Sequence, residues 1–159
     1  MTTSNALAEK IAGINAKFPS VKTISPKAAH ALKDAVWIDC RDRQERDVSI
    51  ITRGVIPEAD FRPELVPQGA KVVAYCTVGY RSAQFCEKHP GVLNLEGGIL
   101  NHVANGLDVV DPSDGRPVRA LHVWGDSFRQ YAPPGYRVTS YNKLNTMLSL
   151  PKIFLRSLF

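Results

Sequence analysis

The chain has little of what several common architectures require. Of its 159 residues only three are cysteine, two methionine and two tryptophan, and no apolar run approaches the length of a membrane-spanning helix. An odd cysteine count in a chain of this size argues against a disulfide framework and for a reducing compartment, where an accessible thiol can do chemistry. No basic-then-apolar signal peptide opens the chain, so the default address is an intracellular aqueous compartment, the cytoplasm in the first instance. His30, His89, His102 and His122 lack metal-ligand spacing, and no metal or cofactor is expected. The net charge of +5 favours small anionic partners. The basic residues are scattered rather than interleaved with aromatics, which leaves no case for nucleic acid.

What is present is a patterned chain large enough to bury one core. Leu7, Ile11, Ile14 and Phe18 recur at helical spacing, predicting an amphipathic helix over residues 5–18 that Pro19 stops. Ser25 followed by Pro26 marks a second helix start. Short apolar runs at 21–24, 35–39, 53–57, 71–75 and 92–95 alternate with helical patterns at SPKAAHALKD, SAQFCEKH and the stretch between Gly98 and Gly106. Buried strands alternating with helices imply an α/β fold with a central parallel sheet flanked by helices, binding its ligand at the carboxyl ends of the strands. Beyond Gly106, LDVVDPSDGRPVRALHVW has the form of a hairpin turning at Asp-Pro-Ser-Asp-Gly. The expected divisions are an N-terminal helix (1–19), a catalytic domain (20–106), a C-terminal extension packed on it (107–142) and a basic apolar tail (143–159). That tail suits docking on the domain or an oligomer contact better than an anionic membrane surface, because Pro151 interrupts any long helical face.

The stretch YCTVGYRS, 75–82, carries the chemistry. Cys76 stands at the end of an apolar strand, before a loop with one glycine and a helix expected to begin near Ser82. The first turn of such a helix offers amide hydrogens without intrahelical partners and about half a positive charge. Gly79 permits a tight bend, and Arg81 adds a guanidinium. Together they favour an anion at the loop centre, and the Cys76 thiolate is the nearest one. Helix N-termini and cationic neighbours can bring a thiol from a pKa of about 8.5 to about 3.5–7.5, which turns a minor thiolate population into a major one. The bland reading, a small buried core residue, fits Cys40 and Cys86 better than Cys76. Cys86 as a resolving thiol stays open.

The order and spacing of these segments resemble the rhodanese sulfurtransferase family over about Val21 to Gly106. The matching pieces are Val36-Trp37-Ile38-Asp39-Cys40-Arg41 with Glu45 downstream, Gly54-Val55-Ile56-Pro57, the loop Cys76 to Ser82, and Leu95-Glu96-Gly97-Gly98-Ile99. The resemblance implies that Cys76 takes up a sulfane sulfur as a persulfide from a donor such as thiosulfate and passes it to cyanide or a thiol. It implies that Thr77, Val78, Gly79, Tyr80 and Ser82 hold the persulfide, that Arg81 helps bind an anionic donor, and that Asp39 and Arg41 brace the fold. Gly97 and Gly98 would let backbone pass closely.

This chain departs from the family pattern at Val55, where a histidine is common, at Glu58, where glycine is usual, and at His102, often tryptophan. Thr77 and Val78 are uncharged where thiosulfate-preferring members tend to be basic, which opens the way to another donor. Two alternatives stand beside sulfur transfer. One is a non-catalytic binding module, for which Asp126–Phe128 and Tyr131–Tyr136 could supply a partner surface. The other is a phosphatase or arsenate reductase of the same fold, whose loop is one residue longer between cysteine and arginine and preceded by histidine rather than Tyr75.

Overall fold

In the computed structural model, residues 4–141 are described. Five α-helices and nine short strands run in the order α1 (Asn5–Lys17), β1 (Thr23–Ile24), α2 (Pro26–His30), β2 (Val36–Asp39), α3 (Arg43–Val48), β3 (Ile56–Pro57), β4 (Val72–Tyr75), α4 (Tyr80–Lys88), β5 (Leu93–Leu95), α5 (Gly98–Ala104), β6 (Val109–Val110), β7 (Pro117–Val118), β8 (Ala120–Gly125) and β9 (Arg137–Tyr141). β1 to β5 form one sheet in the order β1-β5-β4-β2-β3, every pair parallel. The α/β expectation holds, and all five predicted strand positions are occupied. β4 is buried along its whole length, as a strand covered on both faces must be.

Alternation along β4 feeds two cores. Val73 and Tyr75 join Leu7, Ile11, Ile14 and Phe18 of α1 and Ile99, Leu100 and Val103 of α5 on one face. Val72, Ala74 and Cys76 join Ile38, Cys40, Phe61, Phe85, Cys86 and Val92 on the other. The N-terminal helix is therefore part of the core. Ser4 and Ser25 cap α1 and α2, each hydroxyl accepting a backbone N–H at 3.3 Å.

The structure corrects three details. α4 begins at Tyr80, with Gly79 as its N-cap, rather than near Ser82. α3 falls in CRDRQERD, which shows no apolar periodicity; it is fixed instead at its first turn, where Glu45 Oε2 accepts the Asp42 N–H at 2.9 Å. The expected hairpin exists only as β6 against β7, antiparallel. ALHVW instead forms β8 and pairs in parallel with β9. Leu121 and Val123 of β8 enter the same core as α1 and α5. The tail 143–159 lies outside the described residues. No described helix is long and apolar enough to cross a membrane.

Candidate active site

Cys76 follows β4 at the carboxyl edge of the sheet, where the chain turns into α4. The Cys76 carbonyl accepts the N–H of Ile99 at 2.9 Å and the Thr77 carbonyl accepts that of Leu100 at 3.2 Å, so both are drawn toward the first turn of α5. A trans peptide places each carbonyl opposite the following N–H. The N–H groups of Thr77 and Val78 consequently face the other way, into the turn. Gly79 donates its N–H to Cys76 Sγ at 3.2 Å, and its φ of 102° is what lets the chain curl there. Tyr80, Arg81 and Ser82 open α4, whose first amides have no intrahelical acceptor. The sulfur thus accepts the Gly79 amide hydrogen beside the open first turn of α4.

Close approach fixes that curve from outside. A Cβ at Gly98 would lie 2.4 Å from the Cys76 carbonyl oxygen and 2.7 Å from Thr77 backbone atoms. At Gly97 it would collide with Asn101 and with Ile11 of α1.

Asn94 ties the turn to the sheet. Its Nδ2 donates to the Gly79 carbonyl at 3.0 Å, and its Oδ1 accepts the Ser82 hydroxyl at 2.6 Å. Ser82 Oγ also lies 3.5 Å from Cys76 Sγ; its single hydrogen serves the nearer Asn94 oxygen. Asn94 escaped the sequence reading, although a polar residue inside the apolar run VLNL was the available signal.

Arg81 is placed differently from the expectation. Its guanidinium does not close the ring around sulfur. Instead Nη1 and Nη2 donate to Glu45 Oε2 and Oε1 at 2.8 and 2.9 Å, and Nη2 donates to Thr77 Oγ1 at 3.1 Å. Thr77 in turn donates to Glu45 Oε1 at 3.1 Å. The guanidinium also lies 4.9 Å from the centre of the Trp124 ring. Burial pushes the Glu45 carboxyl up, but the Arg81 hydrogen bonds and charge, the Asp42 N–H and Arg41 outweigh it and hold the group below its ordinary value. Burial disfavours the charged form of Arg81, while Glu45 more than restores it.

Asp39 and Arg41 form a second, fully buried unit. Arg41 Nε and Nη2 donate to the two Asp39 oxygens at 3.0 and 2.7 Å, and Nη2 also donates to the Ser49 carbonyl at 2.8 Å. Tyr75 donates its hydroxyl to Asp39 Oδ2 at 2.5 Å. Burial and the adjacent Asp39 charge push that hydroxyl well above its ordinary value, so it remains a donor. Ser49 Oγ donates to the Ala120 carbonyl at 2.7 Å, which links the unit to β8. None of these groups faces the cavity over Cys76.

That cavity has a volume of about 290 Å³ and is lined by Cys76, Thr77, Val78, Tyr80, Arg81, Gln84, Lys10, Ile14, Trp124 and Phe128. Cys76 is only 1% exposed, and it lines the floor of this cavity with the loop residues that follow it. Tyr80 contributes its ring, which packs edge-on against Phe18, while its hydroxyl accepts from Lys17 Nζ at 2.6 Å. Lys10, Ile14 and Trp124 were not anticipated, because nothing in their spacing brings them to the loop; Phe128 was noted only within a segment offered as a partner surface. Cys40 and Cys86 are buried. Burial, with Cys76 nearby, pushes the Cys86 thiol up to about 12. Burial and Glu58 push Cys40 further still. No cluster of metal-ligating side chains is found among the described residues.

No family model matches the sequence, and no curated protein matches it. Among solved structures, the thiosulfate sulfurtransferase from Pseudomonas aeruginosa superposes with a TM-score of 0.52 at 18% identity, covering 74% of this chain and 24% of that one. The fold is rhodanese-like. A rhodanese-related protein from Thermoplasma volcanium aligns at 24% identity over 56% of this chain and 97% of its own, with a TM-score of 0.49. A protein of unknown function and possible tyrosine phosphatase from Rhodopseudomonas palustris aligns at 24% identity over 69% of this chain and 97% of its own, with a TM-score of 0.44. At these identities the rhodanese-like likeness speaks for architecture, and the reaction has to be argued from the site.

Proposed function

We propose that this rhodanese-like chain is a sulfurtransferase in which Cys76 carries a sulfane sulfur as a persulfide. The observation that carries the reading is the amide-lined turn, with the Gly79 N–H 3.2 Å from Cys76 Sγ and the carbonyls of residues 76 and 77 held outward by α5. Preorganised donors of this kind favour negative charge on sulfur without reorganisation during the reaction. The turn has four residues between Cys76 and Arg81, a small ring suited to one terminal sulfur rather than to a tetrahedral oxyanion.

In the first step the Cys76 thiolate attacks the outer sulfur of a donor such as thiosulfate. A new S–S bond forms, the donor's S–S bond breaks, and sulfite departs with the electron pair. In the second step cyanide or an acceptor thiolate attacks the outer sulfur of the persulfide, and Cys76 leaves as thiolate. No metal, cofactor or external oxidant enters, and the kinetics are ping-pong. Arg81 acts chiefly through Thr77 and Glu45, fixing the loop, and lends its exposed edge to an anionic donor.

The test is to incubate the protein with thiosulfate and follow intact mass and cyanide-dependent thiocyanate. A gain of one sulfur, lost in Cys76→Ser and discharged by cyanide, is the expected result. Hydrolysis of an aryl phosphate without sulfur uptake would replace this reading with a phosphatase. No uptake and no hydrolysis would leave a binding module.

A further inference from the structure

The cavity over Cys76 is built for something larger and less polar than thiosulfate. At about 290 Å³ it lies near the lower end of the range, about 300–1,000 Å³, usual for small-molecule sites. Its walls are chiefly apolar: Ile14 from α1, Val78 and Tyr80 from the turn, Trp124 near the end of β8, and Phe128 in the 3₁₀ turn that follows. The polar groups that line it are mostly spoken for, since Thr77 and Arg81 are engaged with Glu45.

Lys10 is different. Its ammonium lies 5.7 Å from the centre of the Phe128 ring and makes no salt bridge among the described residues. The cavity thus offers an apolar slot above the sulfur with one unneutralised cation at its edge. Trp124 is 42% exposed, and a large aromatic left open beside a reactive thiol is a surface that a ligand ring can cover.

Resting on the sulfur-transfer reading above, we infer that the donor is an organic sulfane-sulfur compound, an anionic thiosulfonate or persulfide whose sulfur is attached to an aromatic or branched apolar group. That group lies between Ile14, Trp124 and Phe128, while Lys10 faces the anionic end or an acid substituent. For a thiosulfonate the step balances as before: Cys76 thiolate bonds to the outer sulfur, the S–S bond breaks, and the sulfinate leaves with the electron pair. For an organic persulfide the leaving group is the thiolate. The four residues that choose the donor all come from segments flanking the sheet domain, Lys10 and Ile14 from α1 and Trp124 and Phe128 from the C-terminal extension.

The experiment compares benzenethiosulfonate with methanethiosulfonate as donors to the full chain, with cyanide as acceptor, taking the ratio of kcat/KM. A wild-type ratio of about tenfold or more is expected, carried mainly by KM, since apolar slots discriminate by about that much or more. The ratio falls to about threefold or less in Phe128→Ala and in Trp124→Ala and is retained in Phe128→Tyr. Should the half-buried Phe128→Ala fail to fold by thermal melting, the more exposed Trp124→Ala carries the comparison. A wild-type ratio near unity, or one unchanged in both alanine variants, overturns the inference while leaving sulfur transfer intact. Sulfur uptake from no donor, thiosulfate included, overturns both.

Discussion

Glu45→Gln tests whether the Arg81 pair governs this site. The carboxylate accepts Nη1 and Nη2 of Arg81, the Thr77 hydroxyl and the Asp42 N–H, and its side chain is fully buried while that of Arg81 is 25% exposed. Glutamine keeps the volume, removes the charge and turns an amide –NH₂ toward groups that are themselves donors. Breaking a buried pair from one side costs about 3–5 kcal/mol. The partial exposure of Arg81 puts the expected loss near the bottom of that range, about 3 kcal/mol. In a chain of this length the melting temperature should drop by about 6–12 °C.

The assay is urea unfolding of wild type, Glu45→Gln, Arg81→Met and the double variant. Because the two side chains share one network, the double should lose less than the sum of the singles, by about 1 kcal/mol or more. Acidity supplies an independent check. Glu45 titrates below its ordinary value of 4.5 in the folded chain, so its contribution is full above that pH and is lost as pH falls through the lower folded value. The gap between wild type and Glu45→Gln should narrow below pH 4.5 accordingly. A loss under about 1 kcal/mol, additive singles, or a gap unchanged in acid would refute the assignment of Arg81 as a loop-holding residue.

Two further predictions concern the loop. Gly98→Ala should cost about 3 kcal/mol or more and displace the loop, since its Cβ meets the Cys76 carbonyl oxygen at 2.4 Å. Gly79→Ala meets nothing closer than 3.6 Å, so only the positive φ penalty of about 1–2 kcal/mol applies; equal losses in urea unfolding would contradict the steric argument. Mild iodoacetamide treatment of the native chain should label Cys76 through its cavity, with Cys40 and Cys86 modified only after denaturation, because burial keeps those two protonated. Peptide mapping that finds Cys40 or Cys86 labelled first would count against this order.

The sheet was legible because its strands are short apolar runs separated by helical patterns, and the place of Cys76 because it ends one of those runs before a glycine and a helix. α3 was not, since Arg43, Gln44, Glu45, Arg46 and Asp47 present no apolar stripe; its order comes from the buried Glu45, whose partners arrive from elsewhere in the chain. The destination of Arg81 was missed for the same reason. Local geometry pointed its charge at Cys76, and only the tertiary meeting with Glu45 redirects it. Parallel pairing of β8 with β9 could not be foreseen either, because proximity along the chain favoured a hairpin for ALHVW.

The burial of Ile11 against Gly97, together with the rest of the α1 stripe in the core, bears on how small this protein can be made. Trimming it to residues 20–106 would bare one face of the sheet and unwall the slot above the thiol. On the sulfur-transfer proposal, any fragment that survived such trimming should discriminate less between donors than the intact chain.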